Sequence, residues 1–343
     1  MTWRFAGANF DQMHMNTNLQ WVHDHPDAEL VGVCDETPGT STGSLEQAMT
    51  DCELSEKDRF DDVERMLSKT SPDVVIAGPH NANHAAFVER AAPHDVHVVI
   101  EKPMAGSLAD ADRMLDAMPA NRHLVINWPV LWHPVKHTVK RLVEEGTIGP
   151  ITEVQYYGGN AGAPPDGSWF YDVDAGGGSL LDYLGYGATF STWYRDGDLP
   201  ESVTAETYVP PEKEVDVQSS TICRYEGGIS TLQTTWRMLT NPWETEPQPA
   251  KGYELVGEKG SISTRDRAAP VRVTTVDHPD GYTVEADDLP ERYRNLAYYL
   301  IYCLENGVEP EGPANAAFCR EAHRIVETAR RSARAGTTLE LVD

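Results

Sequence analysis

Five short, largely apolar runs punctuate the first 127 residues, and their spacing constrains the fold more than any other feature. They are Trp3, Phe5 and Ala6 leading into Gly7, then Glu29–Cys34, Asp73–Ala77, Val98–Ile100 and His123–Asn127. Runs this short, bounded by glycine or polar residues, read as strands buried on both faces of a parallel sheet. Helical stretches separate them, among them 84–92 and 107–118. In the latter Ser107 is the expected N-cap, with Leu108, Ala111 and Leu115 on one face. Strands alternating with helices in this way predict a doubly wound parallel sheet.

The fourth run ends in Glu101-Lys102-Pro103. Proline donates no backbone hydrogen bond, so strand pairing stops there. Ligands of open α/β sheets bind at the carboxyl ends of the strands, which makes Lys102 a candidate for chemistry as well as a turn residue.

The first 35 residues have the order strand, glycine, helix, strand, acid, which opens a dinucleotide-binding unit. The turn expected after Gly7 would offer backbone N–H groups and a helix N-terminus to a pyrophosphate. Asp35 would accept hydrogen bonds from the adenosine ribose. Where G-x-G-x-x-G is expected, the chain has Gly7-Ala8-Asn9-Phe10-Asp11-Gln12. Asn9 tolerates a left-handed turn, and Asp11 is read as a cap for the following helix. Met13-His14-Met15 is read as helix packing, since no second histidine stands at i+4, and no metal is expected.

After residue 128 the pattern changes. A helix from Pro134 to Glu145 stops at Gly146, Ile151–Tyr157 alternates like a strand, and a Gly/Pro-rich loop at 158–178 leads to a helix near 180–194. Period-two strands follow at Ser202–Tyr208, Val217–Tyr225, Ile229–Trp236, Tyr253–Gly257, Ser261–Thr264 and Val271–Val276. Helices at 290–306 and 314–333 and a strand at Thr338–Leu341 close the chain. The expected architecture is α/β: an N-terminal Rossmann domain (1–128), then an α+β domain (129–343) with a large, open, mainly antiparallel sheet. Its last helices are expected to pack back toward the first domain.

Composition removes several classes of partner. A net charge of −26, from 54 acidic against 28 basic residues, repels nucleic acid and anionic membranes and suits solution in concentrated salt. No stretch approaches the roughly 18 apolar residues that span a bilayer. The start lacks a secretory leader's apolar core, and the five cysteines are scattered, so a reducing cytoplasm is expected.

With these residues in hand the chain resembles the Gfo/Idh/MocA oxidoreductases. The resemblance rests on Glu101-Lys102-Pro103, Asn81 and His84 upstream of it, and Gly146-x-Ile148-Gly149. It continues in Gly176-Gly177-Gly178-x-Leu180-Leu181-Asp182 and Ser332-Ala333-x-x-Gly336. It implies an active site where Lys102 meets Asp182 and the residue four positions on. That residue is Tyr186, as in the branch similar to glucose–fructose oxidoreductase, dihydrodiol dehydrogenase and xylose dehydrogenase. On a helix Asp182 and Tyr186 share a face. Tyrosine, with a pKa of about 10, needs a nearby cation to act as a base, and Lys102 would supply it.

The expected reaction is reversible hydride transfer between a nicotinamide and a sugar, cyclitol or related polyol. Lys102, Asp182 and Tyr186 are the catalytic candidates. The resemblance and the strand ends assign the cofactor to Gly7, Asn9, Phe10, Asp35, His80, Asn81, His84, Glu101 and Lys102. Asn127, Trp128 and Trp169, with Tyr186, are assigned to substrate, and the loops 158–175 and 237–252 to its selection. Asp35 followed by Glu36, with no arginine or lysine beside them, favours NAD over NADP. A homodimer or homotetramer through the C-terminal sheet is expected. The altered glycine loop keeps open a non-catalytic sensor or scaffold, and distant relatives of the fold keep open lyase or glycosidase chemistry on bound NAD.

Overall fold

The computed structural model describes residues 2–37, 43–161, 164–238, 250–265 and 270–343. They divide into two compact units: Met1–Trp132 with Leu289–Cys319, and His133–Asp288 with Arg320–Asp343.

The first unit contains β1 (Trp3–Phe10), α1 (Met15–His23), β2 (Ala28–Cys34), α2 (Leu45–Asp51), β3 (Arg59–Phe60) and α3 (Val63–Thr70). It continues through β4 (Val74–Gly78), α4 (His84–Ala91), β5 (His97–Glu101), α5 (Leu108–Ala117) and β6 (Leu124–Asn127). Among the described residues the sheet has six strands in the order β3-β2-β1-β4-β5-β6. Every pairing is parallel. The apolar runs supply its core: Phe5, Val33, Ile76, Val99 and Ile126 are all fully buried. Strand order reverses between β1 and β4, which opens a crevice at their carboxyl ends. Phe10 pairs with Gly78 and Glu101 with Asn127, so the last residues of these strands share one edge.

The turn predicted after Gly7 is displaced. Gly7 pairs with Val33 on one side and Ile76 on the other, and β1 runs on to Phe10. Gly7 is a packing glycine: a Cβ there would stand 2.7 Å from Leu19 Cδ1 on α1. The left-handed residue is Asn9 (φ 54°), at an irregularity in the β1–β4 register, and the turn falls between Asp11 and His14. Of the Met13-His14-Met15 trio only Met15 packs; Met13 is 62% exposed.

Sequence reading did not find α2, β3 or α3. Two cap signals mark the helices: Ser44 accepts from Gln47 N–H and Asp62 from Arg65 N–H. Ser107 caps α5 as expected, although Met114 rather than Leu115 completes its buried face. The helix expected at 290–306 is shorter, Leu296–Asn306 (α8), behind a single turn of 3₁₀ helix at Glu291–Tyr293. The next, α9 (Ala316–Ala335), starts within the first unit and runs on into the second.

The second unit contains α6 (Pro134–Glu144), β7 (Ile151–Ala161), α7 (Ser179–Tyr194), β8 (Ser202–Tyr208), β9 (Gln218–Tyr225) and β10 (Gly228–Met238). Beyond these lie β11 (Gly252–Gly257), β12 (Gly260–Ser263), β13 (Val271–Thr275), β14 (His278–Val284) and β15 (Leu339–Glu340). Among the described residues its sheet has nine strands, ordered β14-β13-β12-β11-β7-β10-β9-β8-β15. All neighbours are antiparallel except β7 and β10. The strand β14, with proline and glycine in its run, escaped sequence reading.

Helix α7 is apolar nearly all round and is buried along most of its length. Gly187 does not interrupt it; a Cβ there would lie 2.6 Å from the Tyr156 ring of β7, so the glycine admits that ring. Its start is fixed by Asp216, whose carboxylate accepts Ser179 Oγ at 2.6 Å and Leu180 N–H at 2.8 Å. Burial raises the Asp216 pKa, and those two donors partly offset the rise.

Candidate active site

In the first unit the candidates gather at the carboxyl edge of the sheet. Glu101, fully buried, accepts hydrogen bonds from Asn18 Nδ2 (2.6 Å) and Asn127 Nδ2 (2.7 Å), and its other oxygen meets His14 Nδ1 at 2.9 Å. Burial pushes the carboxyl pKa up, but the His14 charge and these donors outweigh it, and Glu101 titrates below its ordinary value. Glu101 thus ties α1 and β6 to the end of β5, and Lys102, 5% exposed, is the next residue. Asn127 is saturated as well, giving Nδ2 also to Asn18 (3.1 Å) and receiving Trp132 Nε1–H on its oxygen (3.1 Å).

Asp11 does not cap α1. Its carboxylate accepts the Thr37 hydroxyl (2.9 Å) and His80 N–H (3.1 Å) and lies 3.2 Å from His80 Nε2. It therefore joins the ends of β1, β2 and β4, and the N-cap position falls to His14, whose side chain makes no capping bond. Gln12, buried, donates to Asn81 Oδ1 at 3.0 Å. Gly43 and Ser44, just before α2, are held to this turn: Gly43 N–H donates to Phe10 O (2.8 Å), and Ser44 and Asn16 exchange two hydrogen bonds. Only glycine fits there, since a Cβ on Gly43 would meet both Phe10 O and Gln12 O at 2.9 Å.

The structure corrects the reading that Asp35 and Glu36 have no arginine beside them. Arg90 on α4 grips Glu36 with two hydrogen bonds of 2.8 Å, and that contact holds the Glu36 carboxyl below its ordinary pKa. The partner is 54 residues away in sequence. Asp35 accepts from Thr37 N–H at 3.2 Å. His84 is fully buried, with Nδ1 3.4 Å from Met104 O, and burial pushes its pKa down to about 4, so it is a neutral ring inside the core. Trp128 is also in the core, with its indole N–H directed at Cys319 Sγ (3.4 Å).

Two observations in this unit fit a dinucleotide. The α1 N-terminus carries no side-chain cap, which leaves its first turn available to an anion. Asn9, in its left-handed conformation, buries an Oδ1 that has no hydrogen-bond partner. The Asp11 charge, which would oppose a pyrophosphate, is met by His80 and Thr37.

In the second unit Asp182 and Tyr186 stand one turn apart on α7, 5% and 9% exposed. Trp236, which sequence reading did not assign, donates its indole N–H to Asp182 Oδ2 at 3.1 Å. Tyr253 donates its hydroxyl to Tyr186 O at 2.8 Å, and the Tyr183 ring lies 5.9 Å from that of Tyr186. Burial, with the charge of Asp182 added, raises the pKa of Tyr183 and of Tyr156, so both stay protonated donors. Trp169 is buried on a 3₁₀ turn, stacked on Phe170. Of the loops assigned to substrate selection, residues 162–163 and 239–249 lie outside the described residues.

Comparison with known proteins gives a consistent picture. Residues 2–127 match the model of the oxidoreductase family's NAD-binding Rossmann fold, and residues 137–263 match the GFO/IDH/MocA C-terminal domain. A dTDP-3,4-didehydro-2,6-dideoxy-alpha-D-glucose 3-reductase of Saccharopolyspora spinosa is 26% identical over 80% of this chain and 82% of its own. A D-xylose 1-dehydrogenase [NADP(+)] of Haloarcula marismortui is 30% identical over 69% of this chain and 66% of its own. The crystal structure of an aldose-aldose oxidoreductase from Caulobacter crescentus complexed with glycerol superposes with a TM-score of 0.82. It covers 99% of this chain and 100% of its own at 21% identity.

Proposed function

The chain belongs to the Gfo/Idh/MocA oxidoreductases, and from that premise we propose how its residues divide the work of oxidising or reducing the CH–OH group of a sugar or polyol. A bound nicotinamide supplies the hydride acceptor or donor. Tyr186 takes the hydroxyl proton as the carbinol carbon is oxidised and returns it in the reverse direction. Lys102 holds the reacting oxygen and favours the phenolate of Tyr186. Asp182 is a positioning residue. The observation that carries this reading is Asp182 and Tyr186 on α7 with Trp236 of β10 beside them: a buried carboxylate, fixed by an indole N–H, one helical turn before a buried phenol. Burying a carboxylate costs stability even when it is hydrogen-bonded, and a charge kept at that cost beside a buried phenol marks a functional site.

The preferred cofactor is NAD. Asp35 offers its carboxylate to ribose hydroxyls, while Arg90 is committed to Glu36 and is not presented to a 2′-phosphate. Gly7 supports the site only from beneath, through its packing on Leu19; Asn9, Phe10, His80 and Asn81 border it.

Assembly of like subunits through the outer face of the nine-stranded sheet is supported by Ile222 and Ile229, 47% and 53% exposed; light scattering measures it. The net charge supports work in concentrated salt, and activity should rise with added KCl; the five free cysteines support a reducing, cytoplasmic setting.

Steady-state kinetics of Lys102→Ala and Tyr186→Phe on a panel of sugars and polyols test the assignment. Both variants should keep the circular dichroism of the parent and lose nearly all turnover. Full activity in either removes that residue from the mechanism.

A further inference from the structure

The second unit holds two lysines whose placement the reaction just described does not use. Lys136 on α6 is half-buried, and its ammonium stands over the Tyr253 ring, 4.3 Å from the centroid, and 6.0 Å from that of Phe190. Lys251, one residue before β11, donates to Gly159 O at 3.1 Å and stands 5.2 Å from the Tyr183 centroid. Both rings belong to the tyrosine group around Tyr186: Tyr253 hydrogen-bonds its carbonyl, and Tyr183 is its ring neighbour. Each ammonium is thus one aromatic ring removed from the candidate catalytic tyrosine.

This is an unusual use of positive charge in this chain. It has only 8 lysines against 54 acidic residues, so a carboxylate partner is easy to find. Lys140 and Lys213 have theirs in Glu144 and Asp166. Among the described residues no carboxylate lies within ion-pair distance of Lys136. An enclosed ammonium with no counter-charge among the described residues is costly, and a second lysine nearby raises that cost. Burial, and the charge of Lys251 after it, push the Lys136 pKa down to about 7. An arriving anion would relieve both effects at once, and the aromatic faces would leave the ammoniums oriented toward it.

We propose that Lys136 and Lys251 form the anion-recognition part of the substrate site, and that the sugar oxidised or reduced here carries a negatively charged group, a carboxylate or a phosphate. This rests on Tyr186 marking the place of reaction. The anion would be held by the two lysines while the reacting hydroxyl is presented to Tyr186.

The test compares matched neutral and anionic sugars at fixed ionic strength: D-glucose with D-glucuronate, D-gluconate and D-glucose 6-phosphate, and D-galactose with D-galacturonate. Binding is read by calorimetry, and turnover with NAD and NADP, for the parent protein, Lys136→Met, Lys136→Arg and Lys251→Met. At least one anionic class should bind ten-fold or more tightly than its neutral partner. Lys136→Met and Lys251→Met should erase that preference and Lys136→Arg should keep it; the charge-retaining variant and Lys251→Met carry the test even where Lys136→Met fails to fold. Preference for the uronate and gluconate arms identifies a carboxylate, and preference for the phosphate arm a phosphate. Equal or tighter binding of the neutral sugars, or an anion preference that survives both methionine variants, overturns the proposal. Turnover of neutral sugars alone would do so while leaving the roles of Lys102 and Tyr186 standing. Loss of those roles would show instead as unchanged turnover in Lys102→Ala.

Discussion

Replacing Lys136 by methionine should change how stability depends on pH, in a direction and by an amount the structure fixes. Methionine keeps the unbranched stem of the side chain, one atom shorter, and removes the enclosed charge over the Tyr253 ring. In the unfolded chain the lysine titrates near 10.5, and in the folded protein near 7. Between those values the unfolded state binds the extra proton, so stability rises with pH. The penalty of the buried ammonium is full below about pH 7 and is gone above about 10.5. At 1.36 kcal/mol per unit of pKa difference it is about 4 kcal/mol at pH 7 and about 2 kcal/mol at pH 9. The parent should therefore gain about 2 kcal/mol relative to Lys136→Met over that interval. Urea unfolding followed by tryptophan fluorescence, at constant salt and every half pH unit from 6.5 to 9.5, measures the difference. Both proteins share their other titrating groups, and Tyr253 stays protonated throughout because burial raises its pKa. Parallel pH profiles for the two proteins would refute the reasoning, and so would a gap that widens toward alkaline pH.

Three further outcomes are expected. Glu36→Gln weakens the hold on Arg90 and should move the ratio of kcat/KM for NADP over NAD upward by about ten-fold, read from initial rates. Trp236→Phe removes the indole N–H from Asp182. A hydrogen bond to a charged group contributes about 1.5–3 kcal/mol, so kcat should fall roughly ten- to hundred-fold with KM little changed and the far-ultraviolet spectrum intact. Gly43→Ala places a methyl 2.9 Å from two backbone oxygens that cannot retreat, and should cost about 1–3 kcal/mol in thermal or urea melts.

The parallel sheet was legible because its strands are apolar on both faces and alternate with helical stretches. Lys102 was legible because proline follows it at a strand end. Asp182 and Tyr186 were found through the resemblance, and their shared helix face followed from spacing alone. Gly7 was misplaced because glycine serves both turns and close packing, and only the position of Leu19 tells which. Arg90 stayed hidden because nothing local in the sequence links α4 to the end of β2. Trp236 was hidden for the same reason: its partner is 54 residues earlier, on another element. Asp11 looked like a cap because aspartate often is one; its contacts with Thr37 and His80 come from segments that only the folded sheet brings together. Helices α2 and α3, at seven and eight residues, are too short for periodicity to declare, and their capping residues were the better signal.

Glu101 and Lys102 are joined by one peptide bond, and the first of them is moored on three sides. A lesion in any of those moorings would travel to the ammonium through the main chain. An alanine scan scored by activity alone would then single out Asn18 and His14 beside Lys102, and would make bystanders in α1 and at its N-cap look like participants in the reaction.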